Sequence, residues 1–342
     1  YNIMSNEQHM TYHEQPDDGE RKTENGQPVP DNGQRATDHG QPDNGKQETD
    51  NGQRRTGNWK RILSKAFDIF CTVFLWIFGL VVLYVLLLFT VFDTFHVPTE
   101  SMTPTLHPGD RGIINKLKLG GRVFDPYACA AGEPYEVKRM PGYGKLESGD
   151  VIVFNAPFTD SWDSVAMNMR MYYCKRAVAV AGDTLEIRNG HYRVRGLDRE
   201  FGVKREQELV GRYIRDYIRE TPDSVPVPGW MLCNPQDSTF NWTLADMGPM
   251  LIPGKGSQIK LDYHNTILYR KYIAWETGKP VEWRDSNATI GGKTAKSYTF
   301  TENYCFAAGD HAIDSQDSRY WGLLPEKFIV GVTTIFGRLP WE

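Results

Sequence analysis

The chain has 342 residues, 40% of them hydrophobic and 24% charged, with a formal net charge of -4. That length allows about two domains of ordinary size, enough to bury a real core. The mild acidity, with no basic block in the part that can fold, argues against nucleic acid as a partner.

Residues 1–58 are almost free of large apolar side chains and rich in Asn, Asp, Gly, Gln and Pro. A short unit recurs there as ENGQP at 24, DNGQR at 31, DHGQP at 38, DNGKQ at 43 and DNGQR at 50. Units so polar bury too little apolar surface to offset the entropy of ordering the backbone, so the segment reads as a disordered tail. His9 and His13 stand four apart, but in this composition they read as solvated tail residues rather than metal ligands.

Residues 59–93 read as a membrane anchor with a basic flank. No charged residue lies between Asp68 and Asp93, and the run exceeds the ~20 residues that span a bilayer. Arg54, Arg55, Lys60, Arg61 and Lys65 precede it, whereas no Lys or Arg follows until Arg111. The positive-inside rule therefore keeps the tail in the cytoplasm and sends the remainder across the membrane. A cleaved leader has a shorter apolar core and small residues at its exit, which TVFDTFHVP lacks.

The translocated part is expected to be all-β or β-rich, in two domains. Strand candidates are 149–156, 171–182, 297–309 and 327–337, punctuated by Gly, Pro and Asp. TLEIRNGHYRVRG at 184–196 is the strongest hairpin signal, because Asn189-Gly190 supplies the positive φ of a two-residue type I′ turn. Residues 204–220 carry Leu209, Tyr213 and Tyr217 beside Val210, Ile214 and Ile218, a spacing of four that predicts a helix. Residues 263–276 are a second helical candidate. Cys129, Cys174, Cys233 and Cys305 lie on the translocated side, where disulfides are permitted, but their spacing fits no zinc pattern and fixes no pairing. The reading contains no metal and no cofactor.

Chemistry is suggested by Ser101, held between prolines in VPTESMTPTL just past the anchor. A serine becomes a nucleophile only beside a base and a hole for the developing oxyanion. Lys175 in YYCKRAVAV lies on an apolar strand, where alternation puts it on the face of Tyr173 and Ala177 and opposite Cys174 and Arg176. Desolvation lowers a lysine pKa by ~3 units and would make it a usable base. From strand context alone, a lysine with its stem along the sheet and its head in water is the competing reading.

PTESMTPTL, YCKRAVAVAGD and GDHAIDSQDSRYWG occur in that order after a single apolar run. Together they resemble the type I signal peptidases, or leader peptidases, which are membrane serine proteases with a Ser/Lys dyad. The resemblance covers roughly residues 90–340 and implies Ser101 as nucleophile and Lys175 as general base. It also implies an oxyanion hole from the Ser101 N–H and the Thr99 hydroxyl. Ser315 would orient the lysine amine, Asp317 and Arg319 would form a supporting ion pair, and Gly309 and Asp310 would shape the turn that carries them. Phe95, Val97, Pro98 and Cys174 match positions lining small substrate pockets. The implied partners are signal peptides of exported pre-proteins and the lipid bilayer, in the bacterial inner membrane with the catalytic part on the far side. On this reading residues 94–183 and 298–342 form the catalytic domain, and 184–297 an inserted second domain.

The GDHAIDS loop departs from the family's usual Gly-Asp-Asn-Arg-Asp-Asn-Ser, and Ala179 and Ala181 replace a common Gly and Pro. His311 in that loop raises a rival mechanism, with histidine as base and Asp310 or Asp314 behind it. Two further readings compete: a non-catalytic membrane-anchored β-domain that binds partners, and a Ser/Lys peptidase specialised for another exported substrate. NWT at 241 and NAT at 287 are glycosylation sequons only in a compartment that glycosylates.

Overall fold

The computed structural model describes residues 50–337 apart from 132, 134 and 223. Most of the repeat tail, His9 and His13 included, lies outside the described residues. Asp50–Thr90 is one α-helix, so residues 50–58 are helical. Its stretch Trp59–Leu87 is long and apolar enough to cross a membrane, and its large apolar side chains are exposed. The chain divides into two compact units, Tyr1–Ile69 and Phe70–Glu342; the described part of the first is helix throughout.

The second unit is β-rich. Its main sheet has seven strands in the order Phe92–His96, Arg111–Asn115, Ile329–Gly337, Val151–Ala156, Asn168–Ala179, Tyr304–Ala308 and Leu324–Pro325. Every pairing is antiparallel. Val151–Ala156 is buried at all six positions, which is why VIVFNA reads as a continuous run instead of alternating. Asn168–Ala179 begins at the surface and ends buried, so Lys175 sits where the strand enters the core.

The expected strand over 297–309 is two strands with different partners. Ser297–Thr299 pairs with Gln258–Lys260, and Tyr304–Ala308 pairs with the lysine strand. The break has a clear cause in the Glu276 carboxylate. It accepts the backbone N–H groups of Thr301 and Glu302 and the hydroxyls of Tyr298, Thr301 and Tyr304, and so turns the chain around one charge.

The hairpin at 184–194 forms as expected, with Asn189 at φ 53° and Gly190 at φ 86°. Met247–Leu251 adds a third strand to it. The helix Lys204–Glu220 buries Val210, Gly211 and Ile214 and packs Tyr217 against the core, while Leu209, Tyr213 and Ile218 stay exposed, so the buried face cuts across both stripes in the sequence. The hairpin tip meets this helix backbone to backbone: a Cβ at Gly190 would collide with the Gln207 carbonyl, and one at Gly211 with that of Asn189. A second helix, Tyr263–Thr277, is capped by the Asp262 side chain at one end and by left-handed Gly278 at the other. All five cysteines are free thiols.

Candidate active site

Ser101 lies in a single 3₁₀ turn, Glu100–Met102, just after the first strand of the sheet. The buried side chains of Val97, Met102 and Leu106 pin this segment against Val151, with Phe95 and Cys174 packed beside them. Three of the four residues matched to substrate pockets, Phe95, Val97 and Cys174, thus share one apolar cluster, whereas Pro98 is exposed. Burial pushes the Cys174 thiol up to about 12, which leaves it protonated and inert.

The lysine Nζ donates to Ser101 Oγ at 2.5 Å. Lys175 is 2% exposed. Its strand pairs it with Ile152, and the ring of Tyr173 stands 5.5 Å from the amine. Desolvation in this apolar setting draws the amine below its ordinary value, against the field of the Asp317 carboxylate, which works the other way. A lysine with its head in water is therefore not what the chain builds. The Thr99 hydroxyl is 3.3 Å from Ser101 Oγ on the exposed side.

The third segment closes over the serine from the other side. The N–H of His311 donates to the Ser101 carbonyl at 3.1 Å. Gly309 packs so closely that a Cβ would collide with that same carbonyl oxygen and with the Ser315 side chain. Its N–H donates to Asp317 Oδ2 at 3.0 Å. Asp317 and Arg319 form a bidentate pair, with Nε to Oδ1 and Nη2 to Oδ2 both at 2.8 Å, fully inside the protein. Burial alone would raise the Asp317 carboxyl, yet the guanidinium beside it holds it below the usual range.

Two placements differ from expectation. Ser315 Oγ is buried and makes no hydrogen bond to the Lys175 amine, lying instead beside the Asp317 carboxylate, whose charged form it favours. Asp310 does more than shape a turn: it takes Arg176 Nε at 2.8 Å and Nη2 at 2.6 Å, and the Thr105 hydroxyl also donates to it. Arg176 donates further to the Gly149 carbonyl at 2.9 Å. Thr105 was missed because its partners lie 71 and 205 residues away and leave no local trace. The His311 side chain faces Glu206 on the helix Lys204–Glu220, with Nε2 3.8 Å from Oε2, and not the serine hydroxyl. The Ser-His-Asp alternative has no geometric support. Among the described residues no cluster of His, Cys, Asp and Glu is arranged to hold a metal ion.

The chain is 29% identical over 255 residues to the signal peptidase I of Haemophilus influenzae, covering 71% of this chain and 62% of that one. It is 22% identical over 244 residues to the signal peptidase I of Buchnera aphidicola subsp. Baizongia pistaciae, covering 70% and 67%. The chain thus spans about two thirds of the length of these relatives. A solved signal peptidase I from Enterococcus faecalis aligns with 56% of this chain and 97% of its own at 16% identity, with a TM-score of 0.23, too low to speak for the fold. The family described as "Signal peptidase, peptidase S26" matches residues 70–337, and with a match of that extent the chain belongs to this family.

Proposed function

We propose that the protein is a membrane-bound serine endopeptidase that removes N-terminal signal peptides from exported pre-proteins after a small-x-small sequence. The observation that carries this reading is the 2.5 Å contact between Ser101 Oγ and the desolvated amine of Lys175. A neutral Lys175 takes the serine proton as Oγ attacks the scissile carbonyl. The oxyanion accepts hydrogen bonds from the Ser101 N–H and the Thr99 hydroxyl. The lysine ammonium then passes its proton to the departing amine, leaving an acyl-enzyme. Water, deprotonated by the same lysine, releases the signal peptide and regenerates the serine.

Position supports the substrate. Phe92, two residues past the end of the apolar helix at Thr90, begins the strand that leads to Ser101 nine residues later, a span of ~30 Å at most. A signal peptide whose apolar core is still in the bilayer presents its cleavage sequence at that height. In this reading residues 1–58 are a cytoplasmic tail, 59–93 the anchor in the bacterial inner membrane, and 94–183 with 298–342 the catalytic domain beyond it. Residues 184–297 are an inserted second domain. Phe95, Val97, Pro98 and Cys174 would meet the substrate's small side chains, and Asp317, Arg319, Gly309, Asp310 and Ser315 would support the dyad.

The test is N-terminal sequencing of the product from a model pre-protein incubated in detergent with wild type, Ser101→Ala, Lys175→Ala and His311→Ala. Cleavage after a small-x-small site is expected for wild type and His311→Ala and not for the other two. An active Lys175→Ala protein would sink the dyad.

A further inference from the structure

Lys271 is a buried lysine that the chemistry above does not use. It lies on the helix Tyr263–Thr277, and its Nζ donates to two backbone carbonyls, those of Trp162 and Trp321, each at 2.9 Å. Trp162 belongs to the connection that leads from Val151–Ala156 into Asn168–Ala179, the strand that carries Lys175. Trp321 ends the short helical turn Ser318–Trp321, whose N-cap is Asp317. A carbonyl at the end of such a turn has no partner within it, and a basic side chain satisfies it.

Neighbouring groups hold the same turn. The N–H of Leu323 donates to the Tyr272 hydroxyl and that of Asn234 to the Arg319 carbonyl, both at 2.7 Å. Gly322 passes so close that a Cβ there would strike the Tyr272 hydroxyl and crowd the Lys271 amine. Lys175, for its part, feels Asp317, Cys174, Arg319 and Asp310, and of these Asp317 does most to raise its proton affinity. The place of Asp317 therefore sets part of the basicity of Lys175.

We propose that Lys271 is a positioning residue for the reaction: its amine locks the connection into the base's strand to the turn that holds Asp317. The inference rests on the Ser101/Lys175 reading given above. Burial draws the Lys271 amine down to about 7. Its charged and neutral forms both keep N–H groups for the two carbonyls, so the lock does not depend on the charge.

The experiment follows cleavage by the full chain in detergent against pH, with a peptide bearing a small-x-small site as probe. Lys271→Met is expected to lower kcat about tenfold, as displaced catalytic groups do, while KM stays within about twofold. It also moves the acidic limb of kcat/KM to lower pH, because a loosened Asp317 supports the lysine ammonium less. Lys271→Gln keeps N–H donors, recovers part of kcat, and carries the same readout should the Met variant not fold. An acidic limb that stays in place or moves upward, or a kcat reduced only in proportion to the folded fraction, overturns the inference and leaves the dyad reading standing. A fully active Lys175→Ala protein overturns that reading instead, and the inference with it.

Discussion

Gly309 lies directly beneath the carbonyl of Ser101, leaving no room between them for even a methyl group. The residue after it, Asp310, holds Arg176, and the next, His311, donates its N–H to that same carbonyl. Ser101 is thus seated by main chain from a segment about two hundred residues away.

Gly309→Ala is accordingly expected to destabilise the fold by about 1 to 3 kcal/mol, the cost of overpacking a tight site, and to reduce kcat by about a hundredfold through displacement of Ser101. Thermal unfolding in detergent and steady-state cleavage read the two effects separately. Wild-type turnover in this variant would show that the close approach plays no part in seating the serine.

As the proposed base Lys175 must be neutral, and desolvation lowers its pKa. Activity should therefore rise with pH through a limb set below the ordinary lysine value of about 10.4. The same depression means that the folded protein binds fewer protons at this amine than the unfolded chain does. Its burial therefore contributes stability that grows as pH rises from the folded towards the unfolded pKa. A kcat/KM profile with its acidic limb near the ordinary lysine value would contradict the assignment.

Asp317→Asn leaves the Arg319 guanidinium buried without its counter-charge. Breaking a fully buried pair on one side costs about 3 to 5 kcal/mol. The double variant Asp317→Asn with Arg319→Met removes both charges and is expected to be more stable than the single one, a comparison made by denaturant titration. If the single variant is as stable as wild type, the pair is not holding the turn.

Thr99→Val keeps the shape of the side chain and removes its hydroxyl. Loss of one oxyanion donor is expected to cost about 2.7 to 4 kcal/mol of transition-state stabilisation, seen in kcat with KM little changed. A full-rate variant would remove Thr99 from that role.

Much of the fold was legible because its signals are local. Asn189-Gly190 names its turn, the spacing of Val210 and Ile214 names a helix, and β-branched runs name the sheet. The motifs around Ser101 and Lys175 singled out both residues, and the fold brings them together. Contacts made by charge over long separations were not legible. Nothing near Glu276 announces that its carboxylate will divide residues 297–309 into two strands. Nor does the Arg176 segment show that Asp310 and Thr105 will meet there. The helical pattern over 204–220 offered two apolar stripes, and only packing against the hairpin selected Val210 and Ile214.

The contact between Gly190 and Gly211 has a dynamic consequence. Neither surface has a side chain there that can swing aside, so the turn and the helix cannot loosen by degrees. Their amide protons should exchange with solvent through one concerted opening, and the rates measured at the hairpin tip and at mid-helix should respond together to denaturant.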